Sequence, residues 1–195
     1  MSRPLLLLLL ILLLSSSLRP AGSARGEAEA LLRWKASLLA PADALASWSP
    51  NGSAVGAAAP CAWRGVSCDS RGRVVALDVA GAGLAGTLAP SLARLPALES
   101  ISLFGNRLAG GVPPGLRALA PTLRKLNLSR NALAGEIPPF LGAFPWLRLL
   151  DLSYNAFAGE IPAALFDPCL RLRYVSLAHN NLTGPVPVFP TRTFK

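Results

Sequence analysis

Leucine returns at fixed intervals between residues 74 and 187, and polar or small residues fill the positions between the leucines. Adjacent leucines in each copy are two residues apart, as in Leu126 and Leu128, so both face one side of an extended segment. Lys125, Asn127 and Ser129 then face the other side. The pattern predicts short strands with a buried and an exposed face.

The copies can be aligned without insertions over most of their length. They read VVALDVAGAGLAGTLAP, ESISLFGNRLAGGVPP, RKLNLSRNALAGEIPP, RLLDLSYNAFAGEIPA and RYVSLAHNNLTGPVPV. The position held by Ala82, Asn106, Asn131, Asn155 and Asn180 returns after 24 or 25 residues. This period, with the pattern L-x-x-L-x-L-x-x-N-x-L, indicates a leucine-rich-repeat solenoid whose parallel strands stack from copy to copy.

Two recurring residues have structural explanations. Asn106, Asn131, Asn155 and Asn180 follow the strands, where an amide side chain satisfies backbone groups of its own and the adjacent coil, so we interpret them as a structural ladder. Each copy also has a glycine where a positive φ or close backbone approach is expected, followed by prolines that stiffen the return path. The convex side is therefore predicted to be mostly irregular or 3-10 rather than α-helical.

The first 24 residues predict a signal peptide. Arg3 precedes the apolar run Leu5–Leu14, and Gly22-Ser23-Ala24 provides small residues for cleavage. The alternative, a retained membrane anchor, needs about 20 consecutive apolar residues. We expect a mature chain that begins near Arg25 and enters the secretory pathway.

The segment after the leader predicts a helical cap. Residues 27–39 place apolar side chains at helical spacing, with Pro41 as the end, and Ala44–Trp48 predicts a further turn. Cys61 and Cys68 follow, and in an oxidising compartment they are predicted to form a disulfide. A metal site is the alternative, but the single histidine, His179, is far away and the spacing is not that of zinc ligands.

Together these segments resemble a known family. The stretches EAEALLRWKASL, ALASW and CAWRGVSC, and the ending N-x-L-x-G-x-I-P, as in 135–138 and 159–162, resemble the extracellular region of plant leucine-rich-repeat receptor-like kinases over about residues 27–188. The resemblance implies an α/β, right-handed solenoid with a parallel sheet on its concave face. It also implies binding of peptides, steroids or a co-receptor.

This gives a division of the chain into 1–24 as signal peptide, 25–73 as N-terminal cap, 74–187 as five repeats and 188–195 as a tail. No second cysteine pair, membrane helix or kinase follows in the sequence. We interpret the chain as the ectodomain part of a receptor, truncated before those regions, in the apoplast or at the plasma membrane. The alternative is a complete secreted protein, similar to polygalacturonase-inhibiting proteins, that acts as an enzyme inhibitor or decoy.

The charge balance changes this picture little. The formal net charge is +9, with 19 basic and 10 acidic residues, and the basic residues are scattered. That does not favour nucleic acid as a partner; association with acidic cell-wall polymers or a membrane surface is more consistent with a secreted protein. Ordinary solubility charge is the alternative.

No catalytic, metal or cofactor motif is present, so we predict a binding module and not an enzyme. Exposed aromatic and arginine side chains anchor interfaces. The candidate binding residues on the concave face or its flank are Phe104, Arg130, Tyr154, Tyr174 and His179. Ordinary surface variation is the alternative explanation for them.

The sequence predicts the covalent state of four further residues, three asparagines and one cysteine. The sequons at Asn51, Asn127 and Asn181 predict N-glycosylation of a secreted protein. A glycan on Asn127 would stand on the proposed binding face. Cys169 is predicted to be a buried free thiol, with intermolecular pairing as the alternative.

Overall fold

The computed structural model describes residues 24–50, 60–166 and 171–188. Most of the predicted signal peptide, the sequon at Asn51 and the cysteine at Cys169 lie outside these ranges. The predicted signal peptide, with its end at residue 24, therefore stays a prediction. No helix among the described residues has the length and apolar character needed to cross a bilayer.

The cap begins with helix α1, which spans Ala24–Ala36. The predicted range of 27–39, with its end at Pro41, is wrong at both ends. Leu39 is extended because it forms an antiparallel bridge with Ala85, in which the two N···O distances are 2.8 and 2.7 Å. A chain paired in this way cannot continue a helix, so α1 ends three residues earlier. Consecutive turns occupy residues 42–47.

Three tryptophans form the core of the cap. The Trp48 ring stacks on Trp63 at 5.7 Å and contacts Trp34 at 6.2 Å. The indole N–H of Trp34 donates to the carbonyl of Thr87 at 3.0 Å, which connects the cap to the first coil. The cap thus covers the apolar N-terminal end of the solenoid, as a repeat array requires.

A disulfide closes the cap, as predicted. The Cys61 and Cys68 sulfurs are bonded, and their Cα atoms are 5.5 Å apart. Cys68 ends strand β1 (Val66–Cys68), which pairs antiparallel with β2 (Val74–Asp78). The bridge therefore closes the cap beside β1, and the pairing of β1 with β2 connects the cap to the repeats.

The first sheet runs along the whole repeat region. After β1 and β2 it contains β4 (Ser100–Ser102), β6 (Lys125–Asn127), β8 (Leu149–Asp151) and β10 (Tyr174–Ser176), all parallel to β2. The register is regular, with Ile101 beside Leu126 and Leu126 beside Leu150. These three side chains are buried, so the core extends lengthwise from coil to coil.

A second parallel sheet, which the leucine pattern did not predict, follows the turns. It contains β3 (Ala85–Thr87), β5 (Arg107–Gly110), β7 (Ala132–Glu136), β9 (Ala156–Glu160) and β11 (Asn181–Thr183). The convex side is formed by 3-10 helices, as predicted, at Pro90–Arg94, Pro114–Leu119, Pro139–Ala143 and Ala163–Phe166. Each coil therefore has two flat faces, separated by the turn that follows the first strand.

Candidate functional site

The asparagine column, formed by Asn106, Asn131, Asn155 and Asn180, lies just after that turn. In Asn155, Oδ1 accepts the N–H of Leu133 at 3.0 Å. Its Nδ2 donates to the carbonyls of Leu128 and Leu152 at 3.0 and 3.1 Å. The other three asparagines repeat this arrangement at 2.9 to 3.0 Å. Each amide connects two coils, so these side chains have little hydrogen-bonding capacity left for a ligand.

The residue before each asparagine, and before Ala82 in the first coil, has a left-handed backbone. The φ angles are 61° and 68° at Gly81 and Gly105, and 53°, 54° and 56° at Arg130, Tyr154 and His179. This conformation costs a non-glycine residue roughly 1–2 kcal/mol. Neighbouring coils hold the backbone there. The N–H groups of Arg130 and Tyr154 donate to the next coil at 2.9 Å, and the Tyr154 carbonyl accepts the N–H of Asn131 from the preceding coil at 3.1 Å.

Four side chains stack along this turn, one from each of the second to fifth coils. The Arg130 guanidinium carbon lies 6.0 Å from the centroid of Phe104 and 4.5 Å from that of Tyr154. The Tyr154 ring stacks on His179 at 4.1 Å with 16° between their planes. We call Phe104, Arg130, Tyr154 and His179 the stacked column. The four side chains are exposed, so the column presents a continuous aromatic and cationic surface.

Tyr174, the fifth candidate, is not part of this column. It begins β10, at the end of the strand opposite to the turn, and it is 50% exposed. The five residues named from the sequence therefore divide into a group of four on one edge of the first sheet and one residue on the other edge.

Ser129, which was predicted to face outward, is buried, and so is Ser153 at the same position of the next coil. Ser129 and Ser153 are only 3% and 6% exposed. The Ser129 hydroxyl donates to Oδ1 of Asn127 at 2.6 Å, and the same oxygen accepts the Ser129 N–H at 3.0 Å. Asp151 and Ser153 form the same pair of bonds. The prediction is wrong because these hydroxyls fold back to close the turn that presents the stacked column.

Asn127 therefore has a structural contact in addition to its sequon. Its side-chain oxygen closes the turn in the way that a carboxylate does in the next coil. Asn181, the other described sequon, is exposed at the start of β11. Glycosylation of both stays a prediction.

A buried carboxylate in the cap was not identified from the sequence. Glu27 is fully buried, and its Oε2 accepts the N–H of Val74 at 2.9 Å, whereas Oε1 has no hydrogen-bond partner among the described residues. Burial raises its pKa above the ordinary value of 4.5, although the Val74 N–H acts in the opposite direction. Nothing in the local sequence indicates a contact 47 residues away.

The second sheet carries an acidic cleft of about 530 Å³. Glu136 and Glu160 line it together with isoleucine and proline side chains. Across residues 24–50, 60–166 and 171–188, no group of three or more His, Cys, Asp or Glu side chains could hold a metal ion. The described surface thus offers two candidate binding features, the stacked column and this cleft.

Comparison with known proteins identifies the family. Residues 24–69 match the family described as leucine rich repeat N-terminal domain, and residues 122–144, 146–167 and 171–192 match the leucine rich repeat. Receptor-like protein kinase 5 of Arabidopsis thaliana is 38% identical over 98 residues, which is 50% of this chain and 9% of that protein.

Two solved structures are similar over nearly the whole described chain. The BIR2 ectodomain of Arabidopsis thaliana has a TM-score of 0.76 and 36% identity, covering 85% of each chain. The chain belongs to the plant leucine-rich-repeat receptor ectodomains. The receptor kinase HAESA of Arabidopsis, solved with the peptide hormone IDA and the co-receptor SERK1, has a TM-score of 0.75 and 35% identity, covering 83% of this chain and 26% of that one.

The share of each relative that is matched differs widely. This leucine-rich-repeat ectodomain chain spans 9% of receptor-like protein kinase 5 and 18% of a probable inactive receptor kinase. The similarity therefore concerns the extracellular, repeat-containing part of those kinases.

Proposed function

We propose that this chain is a non-catalytic extracellular binding module, and that the stacked column contacts its partner. The partner class is a secreted peptide or the ectodomain of a co-receptor. The observation that carries the proposal is the unbroken stack from Phe104 through Arg130 and Tyr154 to His179.

The chemistry of the column suits an interface. Aromatic and arginine side chains are the residues whose truncation costs the most at protein interfaces. Here each ring or guanidinium lies against its neighbour, at 4.1 to 6.0 Å between centres. The side chains are therefore partly ordered before binding, which lowers the conformational entropy lost on association.

Backbone strain supports the same surface. Gly81 and Gly105 occupy the left-handed position in the first two coils, where glycine carries no steric penalty. The next three coils place Arg130, Tyr154 and His179 there instead. Strained residues of this kind are concentrated at ligand-binding sites, where the surrounding structure holds them in place.

The relatives supply the partner class. HAESA, which is 35% identical to this chain, was solved with a peptide hormone and a co-receptor. The BIR2 and HAESA structures are receptor ectodomains, which favours a receptor-type binding role over an enzyme inhibitor or decoy. The disulfide supports an extracellular location, because such bonds persist in oxidising compartments.

The test begins with a binder selected from displayed plant secreted peptides and receptor ectodomains against the purified chain. That binder is then titrated against the wild type and against the Phe104→Ala/Tyr154→Ala variant. We expect the double variant to lose at least about 30-fold in affinity, since a hot-spot truncation costs about 2 kcal/mol or more.

Tyr174→Ala is the matched control. Tyr174 and Tyr154 are the same residue type with similar exposure, 50% and 43%, but they lie on opposite edges of the first sheet. The control should bind within about threefold of the wild type, as expected for a residue outside the contact surface. An unchanged affinity in the double variant would place the partner on another surface.

A further inference from the structure

The edge of the first sheet opposite to the stacked column is strongly basic. Five cationic side chains lie at or just before the starts of the last three strands of that sheet, and we call them the basic edge: Arg124, Lys125, Arg148, Arg171 and Arg173. The third to fifth coils each contribute at least one of them. The second coil places Glu99 and Ser100 at the positions of Arg124 and Lys125, and the first coil places Val75 and Ala76 there.

A backbone ladder fixes the spacing of these residues. The Arg148 N–H donates to the Arg124 carbonyl at 2.8 Å, and the Arg173 N–H donates to the Arg148 carbonyl at 2.9 Å. Successive coils are therefore one strand spacing apart, about 4.8 Å. The charges form a row along the solenoid axis.

An exposed tryptophan organises two of the guanidinium groups. The Arg171 guanidinium carbon lies 4.2 Å from the Trp146 ring centroid, and that of Arg124 lies 5.9 Å from it. Such contacts restrict the arginine rotamers while leaving N–H donors free to bind an anion. This part of the edge is therefore preorganised.

The positive charge of the row is compensated at one position. Arg124 Nε lies 2.9 Å from a carboxylate oxygen of Glu99, although this contact lacks hydrogen-bond geometry. In the described parts of the chain, no salt bridge involves Lys125, Arg148, Arg171 or Arg173. A row of like charges on one rigid edge raises the local concentration of anions.

We propose that the basic edge binds a linear acidic polysaccharide, a polyuronate with a carboxylate on every sugar unit. Arginine pairs with carboxylate in a bidentate geometry, so consecutive arginines suit a polymer that repeats the same anionic group. The sugar chain lies along the solenoid axis, with one coil contributing to each contact. The exposed Tyr174 ring, at the end of the row, offers an apolar face for a sugar.

An acidic peptide fits this spacing less well. In an extended peptide, side chains on one face recur every second residue, or about 6.7 Å apart. That interval is longer than the strand spacing of about 4.8 Å that separates the coils. Consecutive carboxylates on one face of a peptide would therefore be spaced too far apart to pair with consecutive cationic side chains of the basic edge.

The test titrates the purified full chain with a de-esterified oligogalacturonate of defined length, at about 0.15 M salt where distant charges are screened. The variant is Lys125→Gln/Arg148→Gln/Arg173→Gln. We expect its affinity to fall roughly tenfold or more, since each exposed ion pair contributes up to about fivefold. The fully methyl-esterified oligomer, which lacks the charges, should not bind.

A charge-matched control is Arg33→Gln/Arg71→Gln/Arg94→Gln, which removes three exposed arginines elsewhere. It should bind the oligogalacturonate within about twofold of the wild type, because it leaves the row intact. An equal loss in both triple variants would show that net charge alone causes the binding and would overturn the proposal. Tighter binding of poly-L-glutamate than of oligogalacturonate would overturn the assignment to a polysaccharide.

Discussion

The asparagine column and the stacked column are neighbours in sequence and opposites in role. Tyr154 and Asn155 are adjacent, yet the amide of Asn155 makes three short hydrogen bonds to the backbone, whereas the ring of Tyr154 is exposed between Arg130 and His179. The amide repeats the same bonds in four successive coils. The exposed position holds a different residue in each of the last three coils.

The difference shows how a repeat protein separates folding from binding within a single turn. The residue before the asparagine position keeps a left-handed φ whichever side chain it carries, and does so in the first coil too, where Ala82 replaces the asparagine. Backbone hydrogen bonds to the next coil, at 2.9 Å from the N–H groups of Arg130 and Tyr154, support the strained turn. The scaffold fixes the positions of the exposed side chains without depending on their identity.

Removing an asparagine should produce the largest loss of stability. Asn155→Ala removes the acceptor of the Leu133 N–H. It also removes one of the two amide donors to each of the Leu128 and Leu152 carbonyls, which keep their bonds from Asn131 and Asn180. An unsatisfied buried group costs about 1–3 kcal/mol, so we expect the free energy of unfolding to fall by at least about 2 kcal/mol. Urea unfolding followed by tryptophan fluorescence measures this change.

The control for that measurement is Asn181→Ala in protein made without glycosylation. Asn181 is exposed, so its variant should unfold within about 0.5 kcal/mol of the wild type. Equal losses at the two asparagines would mean that the hydrogen bonds of the column do not stabilise the coils.

A smaller effect of unusual sign is expected in the stacked column. Tyr154→Ala and Tyr154→Gly remove the same ring contacts, but alanine keeps a Cβ at a φ of 54°. Glycine should therefore be more stable than alanine here, by about 1 kcal/mol. In ordinary strands or helices glycine is the less stable of the two by roughly 0.5–1 kcal/mol. Thermal unfolding of the two variants measures this difference in stability. A more stable alanine variant would contradict the assignment of backbone strain to Tyr154.

The final expected effect is a dependence of stability on pH, from a charged group that belongs to the scaffold. Burial raises the pKa of Glu27 above 4.5. Between 4.5 and the raised pKa, the folded chain binds more protons at this site than the unfolded chain does. The free energy of unfolding contributed by Glu27 therefore falls as pH rises through that window and levels off above it.

Glu27→Gln should remove this slope, because glutamine does not ionise and its oxygen still accepts the Val74 N–H. Melting midpoints of the wild type and variant across the acidic to neutral range measure the difference. Glu29→Gln, which changes an exposed carboxylate of the same helix, should keep the wild-type slope. A wild-type midpoint that rises with pH relative to Glu27→Gln would reverse the sign and contradict the account.

The repeat period of the sequence predicted most of the fold, because each coil repeats the same strand, turn and return path. Leu126, Leu150 and the asparagines could be assigned from spacing alone, since their partners lie one period away. The second sheet was missed because its strands, such as Ala132–Glu136, contain small residues and glycine rather than β-branched ones. Pairing with neighbouring coils, and not local propensity, creates those strands.

The sequence identified the residues of the candidate site but not how they are arranged in space. Phe104, Arg130, Tyr154 and His179 were named for their chemical type, whereas their stacking depends on the left-handed backbone that points three of them outward. Gly81 and Gly105, at the same position in earlier coils, were the available signal for that conformation. The burial of Glu27 and the contact of Trp146 with two arginines depend on distant residues, so no local pattern contained them.

The most direct test of the central claim compares adjacent residues in one titration. The selected binder is titrated against Tyr154→Ala and Asn155→Ala, both held well below their melting temperatures. We predict that Tyr154→Ala loses at least about 30-fold in affinity, and that Asn155→Ala, per folded molecule, stays within about threefold of the wild type. A larger affinity loss in Asn155→Ala than in Tyr154→Ala would contradict the division between scaffold and binding surface.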